Sequence, residues 1–236
     1  MPTKPRHRPD QPPLLAVYRA LFAAWGPQGW WPARTRLEMM IGAILTQNTA
    51  WTNVEKAMAN LKRARLLGVA ALHRAGTGEI AACIRPSGTF TVKARRIKHF
   101  IDWLVAEHGG DIGRLFRGDT ATVRASLLAV HGIGPETADG MLLYAGRHPV
   151  FVIDAYTRRF MERHGWAAPR ESYDTLAARF TRALARLPEA ERVPAFNEYH
   201  ALIVALAKRH CRTRPDCAMC PLRRWLPAPS RGKVPP

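Results

Sequence analysis

A two-glycine segment between helical patterns is the first candidate for chemistry in this sequence. Residues 130–140 read VHGIGPETADG. Gly132 and Gly134 can take positive φ and expose their backbone N–H groups, and Pro135 suits the first turn of a following helix. This predicts a helix–hairpin–helix that binds an anion, and in a basic protein the natural anion is a DNA phosphate. An ordinary helix-ending glycine turn is the alternative.

A single acid, Asp154, stands between the apolar run PVFVI and the helical pattern AYTRRFMERHG. Its position predicts a helix N-cap. A carboxylate at the edge of a cleft and beside a helix N-terminus could also stabilise positive charge on a sugar or activate water. The residues alone leave both roles open, and the two are compatible.

Three cysteines near the C-terminus, Cys211, Cys217 and Cys220, form the pattern C-x5-C-x2-C. Thiols at this spacing are typical of metal or cluster ligands, and three unrelated cysteines in a basic segment are the alternative. Cys83 stands alone and is predicted to be a small buried residue. Because the chain shows no export signal, we expect no disulfides.

The composition is strongly basic. The 236-residue chain has 36 Lys and Arg against 18 Asp and Glu, a formal net charge of +18, and a pI near 10.9. This favours a polyanionic partner, nucleic acid or an anionic membrane surface. No apolar run reaches the roughly 18 residues of a membrane span, and the N-terminus lacks the apolar segment of a secretory signal. Residues 1–11 are predicted to be a disordered basic arm and 227–236 a disordered tail.

Helical periodicity recurs along nearly the whole chain, which predicts an all-α fold. Only GTFTV and PVFVI look like strands, and both are short. Three helices are predicted before residue 68, in PPLLAVYRALFAAW, RLEMMIGAILTQNT and WTNVEKAMANLKRARLL. The later helices are predicted at 70–83, from about Thr91, and at 119–130, 135–146, 155–164, 171–186 and 194–210.

Taken together, these motifs resemble the helix–hairpin–helix DNA glycosylases of the endonuclease III type. The resemblance rests on HGIGPETAD, the Asp in VIDAYTRR, the cysteine pattern and LTQNT at 45–49. It implies two helical lobes around a DNA-binding cleft: a six-helix barrel with the hairpin at 36–147, and a second lobe, 12–35 plus 148–226, with the cysteines. It also implies a monomer that flips a base out of double-stranded DNA, without a membrane partner, in the cytoplasm at the bacterial nucleoid.

The resemblance also implies roles for individual residues. Asp154 matches the essential aspartate of these enzymes, and Gln47 matches a residue expected near the gap that the flipped base leaves. The phosphate-gripping hairpin is matched by four consecutive residues, His131, Gly132, Ile133 and Gly134.

The hairpin departs from the family pattern at Glu136. Bifunctional members carry a lysine there, as in GVGRKTA, which attacks the sugar and forms a Schiff base. A glutamate cannot form an imine, and no lysine lies in 130–160, so we predict a monofunctional glycosylase that uses water and Asp154. Glu136 could help to contact a base or water, or be a first-turn acid favoured by the helix dipole. A bifunctional glycosylase/AP lyase and a non-catalytic DNA-binding protein are the alternatives.

The GIG-x-E-[ST]-AD variant, together with WWP and IRPSG, resembles the 3-methyladenine DNA glycosylases of the endonuclease III type. This implies an alkylated purine as the substrate, with mismatched thymine or an oxidised pyrimidine as the alternatives. Four aromatic residues are candidates to stack on a cationic base, or else to be core residues: Trp30, Trp31, Trp51 and Phe90.

The cysteines depart from the family pattern as well. The family holds a [4Fe–4S] cluster with C-x6-C-x2-C-x5-C, whereas this segment has three cysteines and Leu226 in the fourth place. We expect a structural cluster that orders a basic loop with Arg209, Arg212 and Arg214 against the DNA backbone. A zinc ion on three cysteines and a histidine and an empty site are the alternatives. The fourth ligand would be solvent or one of three side chains: His210, Asp216 or Cys83.

Overall fold

A computed structural model describes residues 12–30 and 33–227. No β-strand occurs in this part of the chain, which confirms the predicted all-α class. Two compact units divide the chain, one within Trp31–Val152 and the other within Met1–Trp30 and Ile153–Pro236. The predicted arm at 1–11, Trp31 and all but the first residue of the predicted tail at 227–236 lie outside the described residues.

The described part of the Trp31–Val152 unit contains eight α-helices. They are α2 (Arg36–Leu45), α3 (Trp51–Arg63), α4 (Val69–Arg74), α5 (Thr77–Cys83), α6 (Phe90–His108), α7 (Ile112–Leu115), α8 (Thr120–Leu128) and α9 (Pro135–Gly140). A 3-10 turn, Arg85–Ser87, precedes α6, and a π-helical turn, Met141–Gly146, continues α9.

The core of this unit forms around α2 and α6. Along α6 the side chains of Ala94, Ile97, Ile101 and Leu104 are fully buried, at the spacing of one helix face. Helix α2 packs against α3, α6, α9 and the π-helical turn. As a result, the C-terminal end of α2, which leads into LTQNT, lies beside the helix that follows the hairpin.

A buried ion pair fastens the two helices of the hairpin to each other. Arg124 on α8 donates two hydrogen bonds to the carboxylate of Asp139 on α9, at 2.6 and 3.2 Å. The Asp139 side chain is only 3% exposed. Because this geometry is bidentate, it fixes the relative orientation of α8 and α9 as well as their distance.

The second unit contains four α-helices in its described part: α1 (Leu14–Trp25), α10 (Ala155–Arg163), α11 (Tyr173–Leu184) and α12 (Glu189–Arg209). Helix α12 packs against the other three. Its residues from Ala195 onward are mostly buried, and the ring of Tyr199 lies against those of Tyr18 and Phe180. Helix α12 is therefore the central element of this unit.

Several predicted boundaries were wrong for local reasons. The helix predicted at 70–83 is two helices, because the chain turns to extended geometry at Ala75 and Gly76. The helix predicted at 194–210 begins at Glu189 and contains Pro194, where the missing N–H removes one intrahelical hydrogen bond without ending the helix. Of the strand-like runs, GTFTV has its last three residues in the first turn of α6, and PVFVI has no regular secondary structure.

None of the helices in the described ranges combines the length and apolar character that crossing a membrane requires.

Candidate active site and hairpin

Asp154 caps α10 and keeps one carboxylate oxygen available beyond the cap. Its backbone is extended, and its Oδ1 accepts a hydrogen bond from the backbone N–H of Thr157 at 2.7 Å. The predicted N-cap role is therefore present. The second oxygen, Oδ2, lies 3.5 Å from Nε2 of His200, so the two oxygens of this carboxylate have different surroundings.

The Asp154 carboxylate stays ionised although it is largely buried. Burial raises the pKa of Asp154, but the nearby His200 and the hydrogen bonds from Thr157 outweigh burial and leave the pKa below its ordinary value. The Asp154 side chain is 15% exposed and that of His200 is 6% exposed. The site thus offers a charged carboxylate in a largely desolvated place, where its field on a nearby cation is strong.

Trp30 completes this arrangement in the same unit. Its ring lies over the imidazole of His200, with the ring centroids 5.0 Å apart and the planes inclined by 58°. The segment that carries Trp30 is held to α12 because the backbone N–H of Gln28 donates to Glu198 at 2.7 Å. Trp30 therefore contacts His200, which in turn faces Asp154.

The hairpin requires glycine at one of its two glycine positions. Gly132 has φ +90°, and a Cβ there would lie 2.4 Å from Cγ of Arg96. Gly134 has φ −93° in an extended conformation that any residue can adopt, and a Cβ there would meet nothing within 4 Å. The idea that Gly134 provides positive φ was wrong, because Pro135 starts α9 directly after it and an N-cap residue is extended.

The remaining hairpin residues divide between core and surface. Ile133 is 5% exposed and packs into the core of its unit. His131 is exposed, and its ring makes an edge contact with that of His99 at 5.5 Å. Glu136 is exposed in the first turn of α9. Whether these residues contact DNA stays a prediction.

Gln47 joins the turn after α2 to the hairpin. Its side-chain amide donates to the carbonyl of Gly132 at 3.2 Å and to the hydroxyl of Thr137 at 2.9 Å. Its amide oxygen accepts a hydrogen bond from Arg96. The donors and the acceptor of this side chain are thus engaged within the unit, while the next residue, Asn48, is exposed with φ +52°.

A buried lysine holds the other side of this turn. Lys93 on α6 is 1% exposed, and its ammonium donates to the carbonyl oxygens of Leu45 and Ser87 and to the hydroxyl of Thr49. Burial, assisted by the charge of Arg96, lowers the pKa of Lys93 to about 8. Sequence reasoning missed this lysine, which appears as one of several basic residues in VKARRIK.

The other predicted aromatic residues lie in the Trp31–Val152 unit. Trp51 begins α3, is partly buried against the core, and donates from its indole N–H to Glu55 at 3.0 Å. Phe90 begins α6 and is packed against the same core. Trp31 lies outside the described residues, and Trp30 contacts His200, the residue that faces Asp154.

Arginines of α10 hold the cysteine segment. The guanidinium of Arg163 donates to the sulfur of Cys211 at 3.3 Å and to the backbone carbonyls of Arg212 and Thr213. Arg159 donates to the carbonyl of Cys211 at 2.8 Å. Burial raises the pKa of the Cys220 thiol to about 11.

The residues of this segment do not fit a cluster held by four cysteines. Leu226, in the fourth place, is buried and apolar, and His210 turns its Nδ1 to the carbonyl of Asp216 while its ring stacks on Trp25. Cys83 belongs to the other unit. Within residues 12–30 and 33–227, no group of three or more His, Cys, Asp or Glu side chains is arranged to hold a metal ion.

Comparison with known proteins identifies the family. Residues 41–186 match the HhH-GPD superfamily of base excision DNA repair proteins. The chain belongs to this superfamily. A Methanocaldococcus jannaschii protein named as a DNA repair glycosylase is 39% identical over 214 residues, which cover 90% of this chain and 94% of that protein. The predicted family, a DNA glycosylase of the endonuclease III type, is confirmed.

Two solved structures resemble this HhH-GPD chain closely. The H. pylori 3-methyladenine DNA glycosylase MagIII, bound to 1,N6-ethenoadenine, has a TM-score of 0.73 with 27% identity, over 83% of this chain and 97% of MagIII. A non-covalent endonuclease III–DNA complex also has a TM-score of 0.73, with 21% identity over 93% of each chain. The second likeness shows the shared fold alone.

His200 is the residue of this HhH-GPD site that sequence reasoning missed. It lies in NEYHALIVALA, where a single histidine in an apolar helix gives no sign of its partner. One signal was available: a polar residue in a stretch predicted to be buried requires a hydrogen-bonding or charged partner. Because His200 and Asp154 are 46 positions apart along the chain, the sequence does not show that Asp154 is the partner.

Replacement of Gly132 by alanine should destabilise the HhH-GPD hairpin, because the new Cβ would meet Arg96 and the backbone would be strained. We expect Gly132→Ala to lower the free energy of unfolding by about 2 to 3 kcal/mol. Gly134→Ala is the matched control, and its expected cost is less than about 1 kcal/mol. Chemical denaturation measures both values, and equal costs at the two positions would contradict this description of the hairpin.

The buried Lys93 should make stability depend on pH. Its folded-state pKa, about 8, lies below that of an unfolded lysine, so the unfolded chain binds more protons between these values and the free energy of unfolding rises with pH there. The rise attributable to Lys93 is on the order of 3 kcal/mol. The contribution of Lys93 is the difference in free energy of unfolding between the native chain and Lys93→Met, measured by denaturation from about pH 7 to about pH 10. Contributions from other titrating groups are the same in both proteins and cancel in this difference. A difference that does not change with pH would refute the expected titration.

Proposed function

We propose that this chain is a monofunctional DNA glycosylase that hydrolyses the N-glycosidic bond of an alkylated purine flipped out of duplex DNA. The observation that carries the proposal is the Asp154 carboxylate, which is ionised, largely buried, and bound through only one oxygen to the α10 N-terminus. A residue that only capped α10 would need neither the burial of Asp154 nor a second carboxylate oxygen that faces His200.

The proposed chemistry follows from the position of this charge. As the bond between C1′ of the sugar and the base nitrogen breaks, its electron pair leaves with the base and positive charge develops on the sugar. The Asp154 carboxylate stabilises that charge and orients a water molecule. The oxygen of the water then bonds to C1′, and its proton passes to the carboxylate or to solvent, which leaves an abasic site.

Glu136 supports hydrolysis over lyase chemistry. A bifunctional enzyme needs an amine that attacks C1′ and forms a Schiff base. Glu136 stands in the corresponding position, exposed in the first turn of α9. The ammonium of Lys93, whose lowered pKa would suit a nucleophile, is 1% exposed and makes three hydrogen bonds inside its unit.

An alkylated purine is the substrate that the aromatic residues favour. Alkylation at a ring nitrogen gives the base a positive charge, which weakens the glycosidic bond and strengthens stacking on an aromatic face. Trp30 offers such a ring and contacts His200, the residue that faces Asp154. The likeness to MagIII, a 3-methyladenine DNA glycosylase, supports the same class of base.

Duplex DNA is the proposed partner, held by the hairpin and by the turn after α2. Gln47 acts through the hairpin in this proposal, since its amide is bonded to Gly132 and Thr137. Asn48, exposed and in the left-handed region, is the side chain that the turn presents toward the duplex. The net charge of +18 favours this polyanion.

The proposal is tested with duplexes that carry methylated purines, thymine opposite guanine, uracil or thymine glycol, each analysed with and without hot alkali. We expect strand cleavage only after alkali, on the methylated purine, and a rate reduced on the order of 100-fold or more in Asp154→Asn. The asparagine keeps an oxygen for the Thr157 N–H, so the variant should fold.

Borohydride separates the remaining outcomes of this assay. A trapped protein–DNA adduct, or cleavage without alkali, would show a bifunctional glycosylase/AP lyase and overturn the argument from Glu136. Tight binding to every duplex without base release would instead indicate a non-catalytic DNA-binding protein.

For the cysteine segment we propose that Arg163 and Arg159, rather than an iron–sulfur cluster, order residues 211–220. The single side chain of Arg163 contacts the sulfur of Cys211 and two successive backbone carbonyls. A guanidinium with several donors can satisfy these groups from one side chain. This arrangement would orient the basic residues of the segment without a metal.

Arg163→Met should loosen this segment. Because Arg212 is a trypsin site within it, whereas Arg214 precedes Pro215 and resists trypsin, we expect cleavage after Arg212 to accelerate roughly tenfold as local opening becomes easier. Arg158→Met is the matched control, since Arg158 lies on the same helix but donates to the carbonyl of Glu171.

The purified chain should contain only substoichiometric iron. Stoichiometric iron with cysteine-dependent visible absorbance would overturn the proposal.

A further inference from the structure

His200 and Asp154 are two polar side chains brought together inside the second unit. Nε2 of His200 lies 3.5 Å from Oδ2 of Asp154, and both side chains are largely buried. The contact forms where α10 and α12 pack together. The other carboxylate oxygen is already used by the helix cap, so His200 faces the oxygen that the proposed reaction would use.

We propose that His200 is a positioning residue for Asp154, whose Nε2–H directs Oδ2 and keeps the carboxylate ionised for the reaction. This inference rests on the proposed function and deepens it. His200 does not touch the substrate in this account; it acts through the carboxylate.

Burial supplies the first physical reason for this role. A desolvated carboxylate tends to take up a proton, and a protonated Asp154 could neither stabilise a cation nor orient water as an acceptor. An N–H donor or a positive charge facing Oδ2 opposes protonation. The residues that follow His200 in α12, from 201 to 207, are all apolar, and Leu202 and Ile203 among them are fully buried, so His200 and the hydroxyl of Tyr199 are the polar groups that 199–207 brings into the core.

The distance supplies the second reason. At 3.5 Å the contact is longer than a strong N–H···O hydrogen bond, so lone pairs of Oδ2 stay available to water or to the sugar. A side chain that bonded Oδ2 tightly would compete with the reaction. His200 therefore stabilises the charge of the carboxylate without occupying it.

Trp30 and the packing of α12 fix the imidazole itself. The Trp30 ring lies over it at 5.0 Å, and Gln28 and Glu198 tie the Trp30 segment to α12 two residues before His200. The Trp30 ring is also a candidate for stacking on the base. Its contact with His200 therefore links recognition of the base to the orientation of the carboxylate.

Two polar replacements test the inference with little change in folding. His200→Gln places an amide N–H near the position of Nε2, whereas the shorter His200→Asn cannot reach Oδ2. We expect the single-turnover rate of base release to fall only a few-fold in His200→Gln and roughly 10- to 100-fold in His200→Asn. DNA affinity should be unchanged in both, because His200 contacts no DNA in this account.

A direct titration of Asp154 gives a second measurement that does not require activity. Carboxyl ¹³C shifts, assigned with Asp154→Asn, should give a higher pKa for Asp154 in His200→Asn than in His200→Gln or the native chain. A simple packing role would lower the stability of both variants without separating their Asp154 pKa values or their rates.

The outcomes distinguish this inference from the proposed function. If Asp154→Asn is inactive while His200→Asn releases base at the native rate, the positioning role is refuted and the glycosylase proposal stands. Equal losses in His200→Gln and His200→Asn would also refute it. If the native chain releases no base at all, the proposed function fails, and the ¹³C titration still shows whether His200 controls the charge of Asp154.

Discussion

The charge of a buried carboxylate is the constraint on which the second unit depends. Desolvation alone would favour protonation of Asp154, and the structure opposes this with the α10 N-terminus on one oxygen and His200 on the other. Both partners are held by α12 packing, since α12 carries His200 and lies against α10. The buried length of α12 therefore serves two purposes, because the same helix forms the core and places the charge.

In the Trp31–Val152 unit, hydrogen bonds to the turn after α2 have a comparable role. Gln47 reaches the hairpin from one side of this turn, and Lys93 reaches Leu45 and Thr49 from the other. Arg96 contacts Gln47 and fills the space beside Gly132. A side chain larger than hydrogen at Gly132 would displace Arg96 and, through it, Gln47. The glycine thus controls the turn as well as its own backbone.

Local sequence signals predicted the parts of this molecule that have local causes. Asp154 was recognisable because an N-cap needs only a polar residue before a helical pattern, and Gly132 because a tight hairpin needs positive φ. Gly134 misled because a glycine permits positive φ, although Pro135 directly after it was the signal for an extended N-cap. His200 and Lys93 could not be found in the same way, because their roles depend on partners 46 and 44 to 48 positions away. Only the packing of helices reveals such pairs.

Several arginines bond groups within the fold, so the number of basic residues overestimates how many can bind a polyanionic partner. Arg96, Arg124 and Arg163 are directed to an amide oxygen, a buried carboxylate, and a thiol with two carbonyls, respectively. Arg179 similarly bonds a carbonyl and Glu171. A guanidinium suits these tasks because its planar donors can satisfy several acceptors at once without losing its charge. Some of the 36 Lys and Arg residues therefore stabilise the fold, and the number of phosphates that the chain can neutralise is smaller than its number of basic residues. The salt dependence of DNA binding, which counts phosphate contacts and not arginines, reports that smaller number.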